Sequence, residues 1–178
     1  MSLKCKSCGK IIETLPIQCG SNIIVNSETS QWGCYTESCG IQTFNEFLCE
    51  SCCTNQNIMK INKKIEKLSM ENEEFNEELG FYKRNLVQTK INNSDFKYWV
   101  EFGEGEFKCG KGELNGATIL ITCPQETMNH ILKGTLDPFN EFLNGALKIE
   151  GDIQYAVVYF DLIKLALEIN NEIGGIFL

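Results

Sequence analysis

Apolar and polar residues alternate at every second position from Phe96 to Phe102. Phe96, Tyr98, Val100 and Phe102 share one side, and Lys97, Trp99 and Glu101 the other. A period of two is that of a strand with one buried face. The same period runs through ATILITC (117–123), where Ala117, Ile119, Ile121 and Cys123 fall together. EFKCGKGEL (106–114) alternates more weakly, and Asn115-Gly116 after it predicts a tight hairpin turn. NLVQTKI (85–91), with the turn Asn92-Asn93-Ser94-Asp95, adds a strand upstream, and ALKIE (146–150) a short one downstream. These segments read as a meander of antiparallel strands.

Further along, the period lengthens and punctuation appears. In CPQETMNHILKG, Pro124 suits a first helical position and Gly134 a stop. In TLDPFNEFLNG, Asp137 can accept from the free N–H groups of a helix start, Pro138 presets the first turn, and Gly145 ends it. Asp152 caps DIQYAVVYFDLIKLALEI, along which Gln154, Asp161, Lys164 and Glu168 make one narrow polar stripe. The rest of that circumference is apolar, so more than one neighbour must cover it.

In this order and spacing, residues 83–170 resemble the sterol carrier protein type 2 family. The specific part is the series helix, Gly, leucine-bearing turn, Pro-helix, Gly, Lys148-Ile149-Glu150-Gly151-Asp152, helix. The resemblance implies an α+β fold: a five-stranded, mostly antiparallel sheet with helices on one face and an apolar tunnel between the layers. It also implies a protein without catalysis that binds and carries sterols, fatty acids or fatty-acyl chains. A lipid site needs apolar side chains beyond those of a dry core, and few polar anchors. The candidates are Phe139, Phe142 and Leu143 on the short helix, Ile131 and Leu132 on the one before, and Val157 and Phe160 on the last. They would face Val100, Phe102, Ile119 and Ile121 on the strands. An acyl-CoA headgroup wants basic partners, which are few here, so a neutral lipid or a fatty acid fits better. His130, the only histidine, has no nucleophile arranged near it by any motif and reads as a surface or rim residue. Cys109 and Cys123 read as small core hydrophobes. The end Ile176-Phe177-Leu178 differs from the Ser-Lys-Leu type of peroxisomal members. Following Gly174-Gly175, it is expected to fold back over the tunnel mouth.

Upstream, Ile58, Ile61, Ile65, Leu68, Asn72, Phe75, Leu79, Tyr82 and Leu86 repeat at three and four residues. That is a heptad seam carrying one polar residue, Asn72. It fits either a coiled coil with a second copy or another protein, or the first helix of the lipid domain lying on its own sheet. Gly80 is expected to end the helix. The domains expected are therefore 1–56, a heptad helix over 57–82, and 83–178.

Cysteines change the picture at the N-terminus. Eight of the ten lie in the first 53 residues, a length that buries too little apolar surface to fold unaided. Cys5-x-x-Cys8 and Cys49-x-x-Cys52 are two knuckles of the kind that hold one tetrahedral zinc, and the module resembles a zinc ribbon. Cys19, Cys34, Cys39 and Cys53 make a second set of four, so one structural Zn2+ is expected and a second is open. Four thiolates leave no position for substrate.

Net charge is −8 overall, and residues 91–178 carry six lysines against thirteen acids. That balance argues against nucleic acid, which needs clustered basic groups. No run is long enough to span a membrane, and MSLKCKSCGK lacks the apolar core of a secretory signal. A cytoplasmic protein is expected. Two functions compete: a lipid-binding or transfer protein whose zinc module contacts partners or localises it, and an accessory subunit using the lipid fold as scaffold. A regulatory zinc protein is disfavoured by the module's negative charge.

Overall fold

The stretch read as one heptad helix is two helices, α1 (Glu50–Glu71) and α2 (Glu73–Gly80), in the computed structural model. Asn72 separates them. Its backbone is extended, at φ −113° and ψ 119°, and its side-chain oxygen accepts from the Phe75 amide at 2.8 Å. It is an N-cap, the role short amides fill best, and not a polar residue inside a coiled-coil seam. The seam residues Ile58, Ile61, Ile65, Leu68, Phe75 and Leu79 are at most 8% exposed and belong to one cluster with the strands and the last helix. They pack within their own chain, the arrangement expected of the lipid domain's first helix rather than of a coiled coil. Gly80 closes α2 as expected, and Leu86, the last seam residue, sits in a strand.

The structure describes residues 4–11, 23–26, 31–34, 41–43 and 49–172. The expected folding back of the tail at 174–178 lies outside them. The chain divides into two units, Met1–Thr54 and Asn55–Leu178. In the first, β1 (Ile23–Asn26), β2 (Gln31–Cys34) and β3 (Ile41–Thr43) form an antiparallel sheet in that order.

In the second unit, β4 (Asn85–Ile91), β5 (Lys97–Gly103), β6 (Glu106–Lys111), β7 (Ile119–Cys123) and β8 (Lys148–Gly151) form one sheet in the order β6-β5-β4-β7-β8. The pairing is antiparallel except between β4 and β7, which run parallel. The expected meander therefore holds only for β4, β5 and β6. Asn115-Gly116 does not make a hairpin; its segment crosses the sheet from the β6 edge to β7. Gln88 on β4 holds that segment down, its side-chain amide donating to Gly112 O at 3.0 Å and accepting from the Leu114 amide at 3.0 Å. A buried amide satisfied on both ends outweighs the local turn preference.

Alternation decides what faces inward. Tyr98, Val100 and Phe102 on β5, Phe107 and Cys109 on β6, and Ile119, Ile121 and Cys123 on β7 are all buried in the cluster with the helices, as period two requires. Helices α3 (Gln125–Leu132), α4 (Pro138–Leu143) and α5 (Ile153–Glu172) follow β7 and β8. Asp137 caps α4 and Asp152 caps α5, accepting from Asn140 N and Tyr155 N at 2.9 and 3.1 Å. Between β8 and α5 the chain needs Gly151 at φ +98°, where a Cβ would collide with the Thr118 carbonyl.

Candidate functional site

Helix α4 has no buried residue, and its Phe139 and Leu143 are 62% and 66% exposed. Ile153 and Val157 in the first turns of α5 are about half exposed. Apolar side chains left open on two neighbouring helices usually border a binding surface. Here Phe139, Ile153 and Val157 line a cavity of about 390 Å³, within the roughly 300–1,000 Å³ of small-molecule sites. The α3–α4 connection (Gly134 to Pro138), Ile149 of β8 and one side of α5 complete the wall. Gly134 at φ +72° turns the chain away from α3, and the Asp137 cap starts α4 soon after. The turn thereby makes one wall.

The lining is mostly aliphatic and aromatic, with Thr135, Asp137, Asp161 and Lys164 as its polar members. Asp137 spends its carboxylate on the α4 cap. Lys164 is 4.0 Å from Glu168 and largely exposed, so that pair adds little stability. Such a wall can hold an alkyl chain or ring system by dispersion and exclusion of water, with a few polar groups for its wet end.

Of the eleven sequence-derived candidates, Ile131, Phe139, Phe142, Val157 and Phe160 line this cavity. Val100, Phe102, Ile119, Ile121 and Leu132 do not; they are fully or nearly fully buried in the packed cluster between sheet and helices. Leu143 is exposed beside the cavity, outside its lining. The hollow is thus bounded by helices and the β8 edge. Sequence reasoning passed over Leu136, Ile149, Ile153, Ile163 and Leu167. A signal for part of this existed: Ile153, Val157, Phe160, Lys164 and Leu167 repeat at four and three residues and make one stripe along α5. His130 is exposed, its Nδ1 2.8 Å from the Thr135 hydroxyl. Cys109 and Cys123 are buried, and burial pushes their thiols up to about 11 and about 12.

A second cluster lies in the first unit. Cys5 and Cys8 are carried by a tight turn in which Lys4 bridges Ile11 and Gly9, at φ +71°, donates to Cys5 O at 2.9 Å. Cys49 immediately precedes α1, its carbonyl accepting from Cys53 N at 2.9 Å, and Cys52 lies in the first turn of that helix. The four sulfurs lie within 4.8 Å of one another, and Cys8 Sγ is 3.7 Å from Cys49 Sγ. A tetrahedron with metal–sulfur bonds of ~2.3 Å has edges of about 3.8 Å. Burial raises the Cys5 thiol, but amides at Cys49, Cys8 and Ser7 outweigh it and bring its pKa to about 6. Burial together with neighbouring thiols pushes Cys52 up to about 12. Crowded thiols resist ionising together, and a divalent cation removes that conflict. Cys53 stands apart from this cluster. Cys19, Cys39 and the side chain of Cys34 lie outside the described residues.

Residues 63–164 match the model of the SCP-2 sterol transfer family. No curated protein matches the chain. Among solved structures, the sterol carrier protein domain 2 of Helicoverpa armigera is 21% identical, with 63% of this chain and 89% of that one covered and a TM-score of 0.48. Sterol Carrier Protein 2 from Yarrowia lipolytica (apo form) is 16% identical, with 60% and 87% covered and a TM-score of 0.48. The inverting sec-alkylsulfatase Pisa1 from Pseudomonas sp. is 17% identical over 49% of this chain, with a TM-score of 0.44, and the match spans only 14% of that enzyme.

Proposed function

The chain belongs to the SCP-2 sterol transfer family, and from that premise we propose that it is a non-catalytic carrier of a sterol or acyl lipid. The observation that carries this reading is the apolar cavity of about 390 Å³ between α3, α4, β8 and α5. Its open side is bordered by Phe139, Ile153 and Val157, so a lipid tail can enter without crossing the packed core. Lys164, the cavity's one cation, stands near Asp161 and Asp137, which suits a neutral or zwitterionic head better than a phosphate-rich one. Among the described residues no helix is long and apolar enough to cross a membrane, and we place the carrier in the cytoplasm, where thiols stay reduced.

Cys5, Cys8, Cys49 and Cys52 are proposed to hold one structural Zn2+ that folds the first unit. The same module is the proposed surface for contact with a protein partner. The accessory-subunit alternative differs in a single respect: the cavity stays without a ligand. Native mass spectrometry on protein purified without detergent separates them. A bound lipid mass that disappears in Val157→Glu supports the carrier; bare protein, with no uptake from vesicles of phosphatidylcholine and cholesterol, sinks it. Elemental analysis giving no zinc per chain would remove the metal assignment.

A further inference from the structure

Three hydroxyls meet inside the second unit. Thr89 on β4 stands directly opposite Tyr98 on β5, so their side chains emerge on the same face within a few ångströms. Tyr159 reaches the same buried face from α5, its ring centroid 6.0 Å from Phe102, four residues along β5 from Tyr98, and 5.1 Å from Phe160. All three residues are fully buried. The Thr89 and Tyr159 hydroxyls lie near enough to act on that of Tyr98, yet no well-formed hydrogen bond joins them. None finds another partner among the described residues.

Burial pushes the Tyr98 and Tyr159 phenols well above their ordinary range. Both therefore keep their protons and remain donor and acceptor at once. Buried hydroxyls without partners are expensive, and native cores leave few of them. Phenylalanine at 98 or 159 would fill the same space at no such cost. A carbonyl could only accept from this set and an ammonium only donate. An O–H group does both, and can satisfy several of the three from one position.

We propose that Thr89, Tyr98 and Tyr159 form an internal hydroxyl-binding site, which takes one O–H group from a water molecule or from the alcohol end of a lipid. Phe160 both lines the cavity and packs against Tyr159, so displacement of its ring is the route by which a lipid would arrive. The lipid source rests on the carrier reading; the water source does not.

Tyr98→Phe, Tyr159→Phe and Thr89→Val each remove one hydroxyl with little change of shape. Each is expected to lower the Tm of the full chain by about 2–4 °C. A high-resolution crystal structure should show one ordered oxygen within hydrogen-bond distance of at least two of the three. Unchanged or raised Tm in all three variants, without such an oxygen, overturns the site. Cholesterol and its 3-ketone identify the source. An alcohol preference of about fivefold, lost in Tyr159→Phe, assigns the site to the lipid. Equal affinities, with the Tm losses and the ordered oxygen present, assign it to water. Failure of both sterols to bind counts against sterol carriage alone, because the Tm and crystallographic results still decide the site.

Discussion

Two regions of the second unit are made from the same kinds of side chain and end differently. Where α1, α2 and the first half of α5 face the strands, Phe75, Phe102, Ile119 and Tyr159 are fully buried in one cluster. Where α3 and α4 meet the other side of α5, Phe139, Ile153 and Val157 stay open around a hollow. Strands offer an apolar row at fixed spacing, and long helices can be laid on it until the gaps close. Helix α4 is only six residues long, begins at a proline and is set by its cap. It cannot follow the surface of α5 closely. The first region stabilises the fold; the second leaves apolar surface available to something else.

The largest effect expected lies in neither region. Removing metal with a strong chelator, or changing Cys5 or Cys52 to Ser, should unfold the first unit, since structural zinc supplies on the order of 10 kcal/mol to modules this small. Limited proteolysis would read it: cleavage before residue 55 should become rapid while a fragment from about 55 to 172 persists. Loss of that fragment too would mean that the four sulfurs also hold the lipid unit together.

Next in size is Phe102→Ala in the packed region, which should cost about 3–5 kcal/mol in denaturant unfolding. Val157→Glu tests the open region with the opposite outcome. At half exposure its stability should change by no more than about 0.5 kcal/mol. Bound lipid, by contrast, should weaken about tenfold or more, because the tail would lie against a carboxylate. Equal stability losses at the two positions would erase the distinction between filled and hollow.

How far the sequence disclosed this follows the same division. Strand faces were legible because alternation depends only on neighbours two apart, and Val100, Phe102, Ile119 and Ile121 point inward as their period requires. The caps at Asp137 and Asp152 were legible for a similar local reason. The Cys5, Cys8, Cys49 and Cys52 grouping was legible because four sulfurs of the right spacing have one economical arrangement. Which apolar residues border a cavity was only half legible. A phenylalanine on a strand and one on α4 look alike in sequence, and what separates them is whether a third element closes over them. Sheet order was least legible. Asn115-Gly116 has the composition of a hairpin, but the parallel pairing of β7 with β4 arises from distant contacts that no local pattern records.

The smallest effect expected, at Asn72, carries the sharpest sign. If residues 58–86 formed an intermolecular heptad seam, Asn72 would be its weak polar position, and Asn72→Leu would strengthen association and raise Tm. As an N-cap whose oxygen holds the Phe75 amide, Asn72 contributes about 1 kcal/mol, and leucine cannot replace it. The variant should therefore lower Tm by about 2–4 °C and leave the sedimentation coefficient unchanged. Asn72→Asp should restore most of the loss, because a carboxylate caps equally well and stands favourably at the positive end of α2. A heptad seam would be harmed more by aspartate than by asparagine, so this second substitution separates the two geometries even if the leucine variant aggregates.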